Sequence, residues 1–169
     1  FFKQKTAYEI STRDWSSDVC SSDLTAHAGA VLIGGRAVLL RGASGAGKSI
    51  TALQLLEEAA RRHVDAALIA DDRVALEVVH GRLLARAEPS LAGRAELRGV
   101  GIVDVAHEAA GVVALVVDLV WEQPPRLPDS VDESILVEGV LLPHLVLWVE
   151  DRAPLLKLWW TVERLLLAK

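Results

Sequence analysis

Methionine is absent from the 169 residues, cysteine and tyrosine occur once each, and phenylalanine occurs twice, so aromatic side chains make up only 5% of the chain. One cysteine leaves no intramolecular disulfide framework, and Cys and His do not cluster at zinc-ligand spacing, which argues against a stapled secreted scaffold or a zinc module. No stretch of eighteen uninterrupted apolar residues offers a membrane-spanning helix. Basic residues are outnumbered, 18 Lys and Arg against 23 Asp and Glu. The net charge of -5 argues against a partner held by neutralising nucleic-acid phosphates. With 51% hydrophobic and 24% charged residues, the composition is that of an ordinary globular domain with a proper core. A cytoplasmic protein without nucleic-acid or membrane partners is expected.

Composition breaks near residue 24. Both phenylalanines, the tyrosine, the cysteine and five of the ten serines fall in "FFKQKTAYEISTRDWSSDVCSSDL". That segment shows neither a helical nor a strand period, nor the charged-then-apolar layout of a signal peptide. It resembles a translated sequencing-adapter artefact. Residues 1–24 are expected to be non-native or disordered, with one domain over 25–169.

From Ala30 the chain reads "AVLIGGRAVLLRG", two apolar stretches around Gly34-Gly35, a pair suited to a tight hairpin turn. A helix is expected over "ITALQLLEEAARR", with Leu53, Leu56 and Ala60 on its apolar face. "DAALIADD" reads as a short buried strand ending in two acids, beside the strand that enters the glycine loop. "RVALEVVHGRLLARA" reads as a second hairpin turning at His80-Gly81. "GVVALVVDLV" has the continuous apolar character of a strand buried on both faces. "EQPPRLPDS" is a loop, because its prolines remove donors and fix φ. In the tail, Leu155, Leu158, Trp159, Val162, Leu165 and Leu166 recur at helical spacing.

"GASGAGKS" carries the chemistry. Gly42, Ala43, Ser44, Gly45, Ala46, Gly47, Lys48 and Ser49 satisfy GxxxxGK[ST], preceded by strand-like and followed by helix-like sequence. Glycines let main-chain N–H groups approach phosphate oxygens, and the helix N-terminus favours negative charge. Lys48 can reach the β- and γ-phosphates of ATP, and Ser49 can ligate Mg²⁺. What receives the phosphate depends on carboxylates. Asp71 and Asp72 end one expected strand, and Asp118 ends "VVALVVD", the better match to a generic metal-supporting strand. The residues alone leave that contest open.

Taken in order, "GASGAGKS", "IADD", "ELRGVGIVD" and "WEQPPRL" resemble the catalytic domain of the HPr kinase/phosphorylase family, in the short form without a separate N-terminal domain. The resemblance extends over nearly all of residues 25–169 and rests most on "ELRGVGIVD". It implies an α/β phosphate-loop (Walker A) fold of the HPr kinase / phosphoenolpyruvate carboxykinase-like type, with β-hairpins flanking the loop strand. It implies an ATP- and Mg²⁺-dependent serine kinase acting on the phosphocarrier HPr of a phosphotransferase system, with phosphorolysis of phosphoserine as its reverse direction. By the same resemblance Lys48 binds phosphates, Ser49 and Glu96 hold Mg²⁺, and Asp72 takes the proton of the attacking serine. His27, fifteen residues before Gly42, and Arg126, after the Trp121-Glu122 pair, complete the implied site. The resemblance also implies a homo-oligomer, a hexamer.

Two departures stand against it. Ile50 occupies a position that is usually acidic in the family, and "WVEDRAPLLK" replaces a proline-glycine-arginine stretch associated with dephosphorylation, with Arg152 only loosely comparable. They motivate an alternative, an ATP-binding regulatory module with little phosphotransfer. A generic phosphate-loop ATPase using Asp118 is the other.

Overall fold

The computed structural model describes residues 24–126 and 134–168. Residues 1–23, and with them nearly all of the segment read as non-native, lie outside the described residues, as does the proline-containing connection beyond Arg126.

In chain order the elements are β1 (Leu24–Ala26), β2 (Gly29–Ile33), β3 (Arg36–Gly42), α1 (Lys48–Arg61), β4 (Ala66–Ala70), β5 (Val74–Val79) and β6 (Arg82–Ala87). A 3-10 turn (Pro89–Leu91), β7 (Arg94–Leu97), β8 (Gly101–Asp104), β9 (Ala110–Val120), β10 (Ser134–Val137), β11 (Val140–Trp148) and α2 (Pro154–Val162) follow, and one π-helical turn (Glu163–Leu167) extends α2. Nine strands form one mixed sheet, and β7 and β8 form a separate two-stranded ribbon. The protein is therefore α/β.

The apolar run Ala110–Val120 becomes the central strand, as its lack of a polar face requires. β3 lies parallel along one edge of β9. The other edge is shared: β6 pairs antiparallel with its beginning and β11 parallel with its end. Outward from β3 come β2 and then β4. The register of β3 on β9 slips by one residue between Ala37 and Val38, opposite Val113 and Leu115. That bulge changes the phase of the alternation. Val113 joins the core on one face with Ala37, Leu39 and Val116, whereas Leu115, Val117 and Leu119 join the other with Val38 and Leu40.

Both faces are covered. α1 and α2 pack on the Leu115–Val117–Leu119 face, burying Ala52, Leu55, Ala59, Leu158, Trp159 and Val162, while Ile135, Val137 and Leu142 of the β10–β11 hairpin are buried on the Val113–Val116 face. The observed stripe of α1 is Ala52, Leu55 and Ala59; Leu53 and Leu56 pack only partly, and Ala60 is exposed. This corrects the expected face by one residue. The phase is set at the N-terminus, where the buried Lys48 must turn into the glycine loop, and positions four, seven and eleven residues later share its face. The tail follows its helical spacing, with Leu158, Trp159, Val162 and Leu166 buried. Arg62 at the end of α1 stacks 5.0 Å from the centre of the Trp159 ring and pairs with Glu163, to which the indole also donates. These contacts tie the two helices together.

Candidate active site

Topology gathers the site at one edge of the sheet. β2 is antiparallel to β3, and β4 is antiparallel to β2, so β4 runs in the same direction as β3. Asp71 and Asp72, just past β4, therefore emerge at the edge where β3 delivers Gly42 to the loop. His27, just before β2, comes to the same edge. β4 is not beside β3 as the sequence suggested: the chain doubles back through the Gly34-Gly35 turn, and β2 fills that place.

The loop Gly42–Gly47 ends in a left-handed Gly47, φ 92°, that begins α1. No side chain caps the first turn of α1, and no acid lies in it. Its main-chain N–H groups therefore point at the loop cavity with the positive end of the helix dipole behind them. Gly42 is as constrained as Gly47. A Cβ there would lie 2.8 Å from the main-chain oxygen of Leu119 on β9. Ala43, Ser44 and Gly45 are exposed, Ala46 is buried in the helix-side core, and Ser49 is partly buried.

Lys48 is the buried cation of the site, only 6% exposed. Its Nζ donates to the carbonyl oxygens of Gly42 at 3.0 Å and Ala43 at 3.3 Å, and lies 3.0 Å from His27 Nε2. Burial lowers the Lys48 pKa from its ordinary 10.5, and the charges of Asp72 and Asp71 offset part of that shift. The other ring nitrogen of His27, Nδ1, lies 3.0 Å from Asp72 Oδ1. With Lys48 an ammonium, Nε2 accepts and Nδ1–H donates, which defines one neutral tautomer. Lys48, His27 and Asp72 thus form a continuous line of hydrogen bonds. Asp72 itself has φ 70°, a left-handed backbone that Asp and Asn tolerate better than most residues.

Asp71 points the other way and is buried. Its Oδ2 accepts the main-chain N–H of Glu96 at 3.0 Å, and its Oδ1 is buried without a hydrogen-bond partner among the described residues. The β7–β8 ribbon is held in place by the stretch that follows it: Leu68 of β4 bonds to Ala106 and Glu108 through main-chain groups. This places exposed Glu96 beside the acid pair through its backbone. Sequence reasoning noticed Asp71 only as half of a pair. Its signal was position, directly after a buried strand.

Asp118 belongs to a different cluster. Arg41 grips it with two hydrogen bonds, Nε to Oδ1 at 2.7 Å and Nη2 to Oδ2 at 2.6 Å, and His144 Nε2 lies 2.8 Å from Oδ2. Burial alone would raise the pKa of this carboxyl, but the hydrogen bonds of His144 and Arg41 and the charge of Arg41 outweigh it and hold it below the ordinary value. Asp118 thereby clamps β3, β9 and β11 together beneath the loop. Neither Arg41 nor His144 stood out in the sequence, because their significance comes only from strand register. Arg126 is exposed at the limit of the described residues, and no hydrogen bond or ion pair among those residues joins it to Lys48, His27 or Asp72.

No three His, Cys, Asp or Glu side chains converge as a metal cage among the described residues. No described helix is long and apolar enough to cross a membrane.

Known proteins share this fold. A structure of an Hpr(Ser) kinase/phosphatase from Coxiella burnetii superposes with a TM-score of 0.69 at 22% identity, covering 83% of this chain and 96% of that one, so the two share a fold. An HPr kinase/phosphorylase of Caldicellulosiruptor bescii is 33% identical over 135 residues, 73% of this chain and 42% of its own length. One from Lactobacillus acidophilus is 40% identical over 105 residues, 57% of this chain and 31% of its own. The chain thus spans well under half the length of these curated relatives. A family model described as HPr Serine kinase C-terminal domain matches residues 19–117, more than half of the chain. By that match, the chain belongs to the HPr serine kinase C-terminal domain family.

Proposed function

We propose that this chain binds ATP on the Gly42–Ser49 loop and transfers its γ-phosphoryl group to a serine of an HPr-like phosphocarrier protein. The observation that carries the proposal is the line Lys48–His27–Asp72, which sets a carboxylate two hydrogen bonds from the phosphate-loop lysine. Asp72, 64% exposed in its side chain, can meet a hydroxyl carried on another protein.

In this reading Lys48 exchanges its two loop carbonyls for phosphate oxygens, a gain for an ammonium that the loop alone solvates poorly. The serine Oγ forms a bond to the γ-phosphorus as the bond to the β,γ-bridging oxygen breaks, and ADP leaves. The serine proton passes to Asp72. A carboxylate is far less basic than an alkoxide, so this transfer helps mainly once the Oγ–P bond is forming. The Nδ1–H of His27 holds Asp72 in place. Arg126 is assigned to neutralising the transferred group. In the opposite direction, with inorganic phosphate in place of ADP, a phosphate oxygen bonds to the phosphoserine phosphorus as its bond to Oγ breaks, giving pyrophosphate, and Asp72 returns the proton to Oγ.

The residues present also fit a magnesium ion. Such a site takes one or two carboxylates, waters and substrate phosphates rather than a protein cage. Ser49 and Glu96 are the assigned ligands, and Asp71, whose Oδ2 accepts the main-chain N–H of Glu96, keeps a buried oxygen without a partner among the described residues as a further hard donor. Bound there, Mg²⁺ would offset charge on the phosphate oxygens. A cytoplasmic homo-oligomer, a hexamer by family resemblance, belongs to the same proposal, and exposed Val100, Ile102 and Trp160 supply apolar surface for it to cover.

The test is incubation with Mg²⁺-ATP, with and without HPr from the same genome, reading phosphoserine by intact mass alongside free phosphate. Phosphoserine on HPr that is lost with Asp72→Asn is the expected result. Phosphate release indifferent to HPr would refute the proposal in favour of a plain ATPase, and nucleotide binding with neither product would favour a regulatory module.

A further inference from the structure

A cavity of about 300 Å³ opens on the flank of the glycine loop, against the first turns of α1 and the ends of β9 and β11. We infer that it receives the aromatic base of the nucleotide, an inference that rests on the nucleotide-binding reading above.

Position argues for it first. The sheet runs β4, β2, β3, β9, β11, and the loop stands over β3. Asp72 and His27 lie on the β2–β4 side, and the cavity lies on the β9–β11 side. A nucleotide laid across the loop would thus present its terminal phosphate toward Asp72 and its base toward the cavity. Gly45 and Gly47 line both the cavity and the phosphate cradle, so the two are continuous.

The lining argues second. Trp121, Trp148, Ile50 and Pro154 supply apolar surface, and Thr51 and Gln54, three residues apart on α1, supply a hydroxyl and an amide. Among the described residues, no charged side chain lines the cavity. The side chains of this lining suit a flat base that needs one or two hydrogen bonds and a stacking surface, with the phosphates on the adjoining glycine loop. Its size, at the small end of the roughly 300–1,000 Å³ range of ligand sites, suits a base better than a folded segment of a partner. Trp148 is pre-set: its Nε1 donates to the main-chain oxygen of Trp121 at 3.2 Å, which fixes the ring. Trp121 is 58% exposed, a large aromatic surface left in water beside the phosphate cradle. Ile50, 46% exposed, contributes apolar surface where an acid would place negative charge between base and phosphates.

Isothermal calorimetry on the whole chain with Mg²⁺-ATP and Mg²⁺-tripolyphosphate tests the inference. The wild type is expected to prefer ATP by about tenfold or more, the scale of one base–aromatic stack. Trp121→Ala is expected to remove most of that preference by weakening ATP, and Trp121→Phe to restore it. Because Trp148 bonds to the main chain of residue 121, the substitution keeps that bond. Equal binding of the two ligands by the wild type overturns the cavity assignment while leaving phosphate binding intact. An undiminished preference in Trp121→Ala, with weakened transfer to HPr, overturns it in favour of a protein occupant. Binding of neither ligand refutes the nucleotide reading itself.

Discussion

Asp118→Asn separates a structural carboxylate from a catalytic one, and its cost follows from the geometry. The wild-type group accepts two hydrogen bonds from Arg41 and lies within bonding distance of His144, and the Arg41 and Asp118 side chains are only 15% and 18% exposed. Asparagine keeps one acceptor but turns an NH₂ toward a guanidinium that can only donate. Breaking one partner of a buried pair costs about 3–5 kcal/mol, and this slight exposure favours the lower end, about 3 kcal/mol. For a chain of this length that corresponds to a fall in Tm of roughly 6–12 °C, read by calorimetry or circular dichroism. The folded carboxyl titrates below its ordinary value of 3.8, so its contribution is complete above that pH and disappears as pH falls through the lower folded value. The stability gap between wild type and variant should therefore hold from neutrality down to about pH 4 and close only in stronger acid. An unchanged Tm together with complete loss of phosphotransfer would refute the reasoning and return Asp118 to a metal-supporting role.

Asp72→Asn should behave in the opposite way. Its side chain is exposed and Asn tolerates the left-handed backbone, so Tm should move by under about 0.5 kcal/mol equivalent while phosphoserine formation falls roughly 10²- to 10⁴-fold by quenched-flow mass spectrometry. Lys48→Met should abolish measurable ATP binding yet keep or raise Tm, because it removes an ammonium that burial disfavours. In the wild type that burial lowers the Lys48 pKa, so ATP affinity measured against pH should begin to fall below 10.5 as the lysine loses its proton, and the stability cost of the buried charge should ease over the same rise in pH. Gly42→Ala should cost about 1–3 kcal/mol in urea unfolding, since its Cβ would meet the main-chain oxygen of Leu119, and weaken ATP by displacing the loop. The calorimetry on Trp121 above completes the set.

Much of the local structure was legible in the chain itself, because it depends on neighbours in sequence. The loop motif with its flanking strand and helix follows from glycine freedom and hydrophobic period, and the Gly34-Gly35 and His80-Gly81 turns lie between strands that pair as hairpins. The phase of α1 is not legible there, because Leu53 and Leu56 look like a stripe until the buried Lys48 fixes the rotation of the helix. The site divides in the same way. Lys48 and Ser49 are readable from eight consecutive residues, whereas the roles of His27 and Asp72 came from resemblance. That His27 bridges Asp72 to Lys48 is a consequence of two antiparallel steps that return β4 to the direction of β3. Arg41, Asp118 and His144 meet across three strands, and Trp121 and Trp148 meet across two, at separations no periodicity reports. The sequence by itself determined the glycine loop on which the proposed nucleotide would sit, since that needs only one strand, one loop and one helix. Which carboxylate stands exposed on His27 beside the loop and which is locked in the scaffold was decided by sheet order and register, because those alone bring distant side chains within hydrogen-bonding distance.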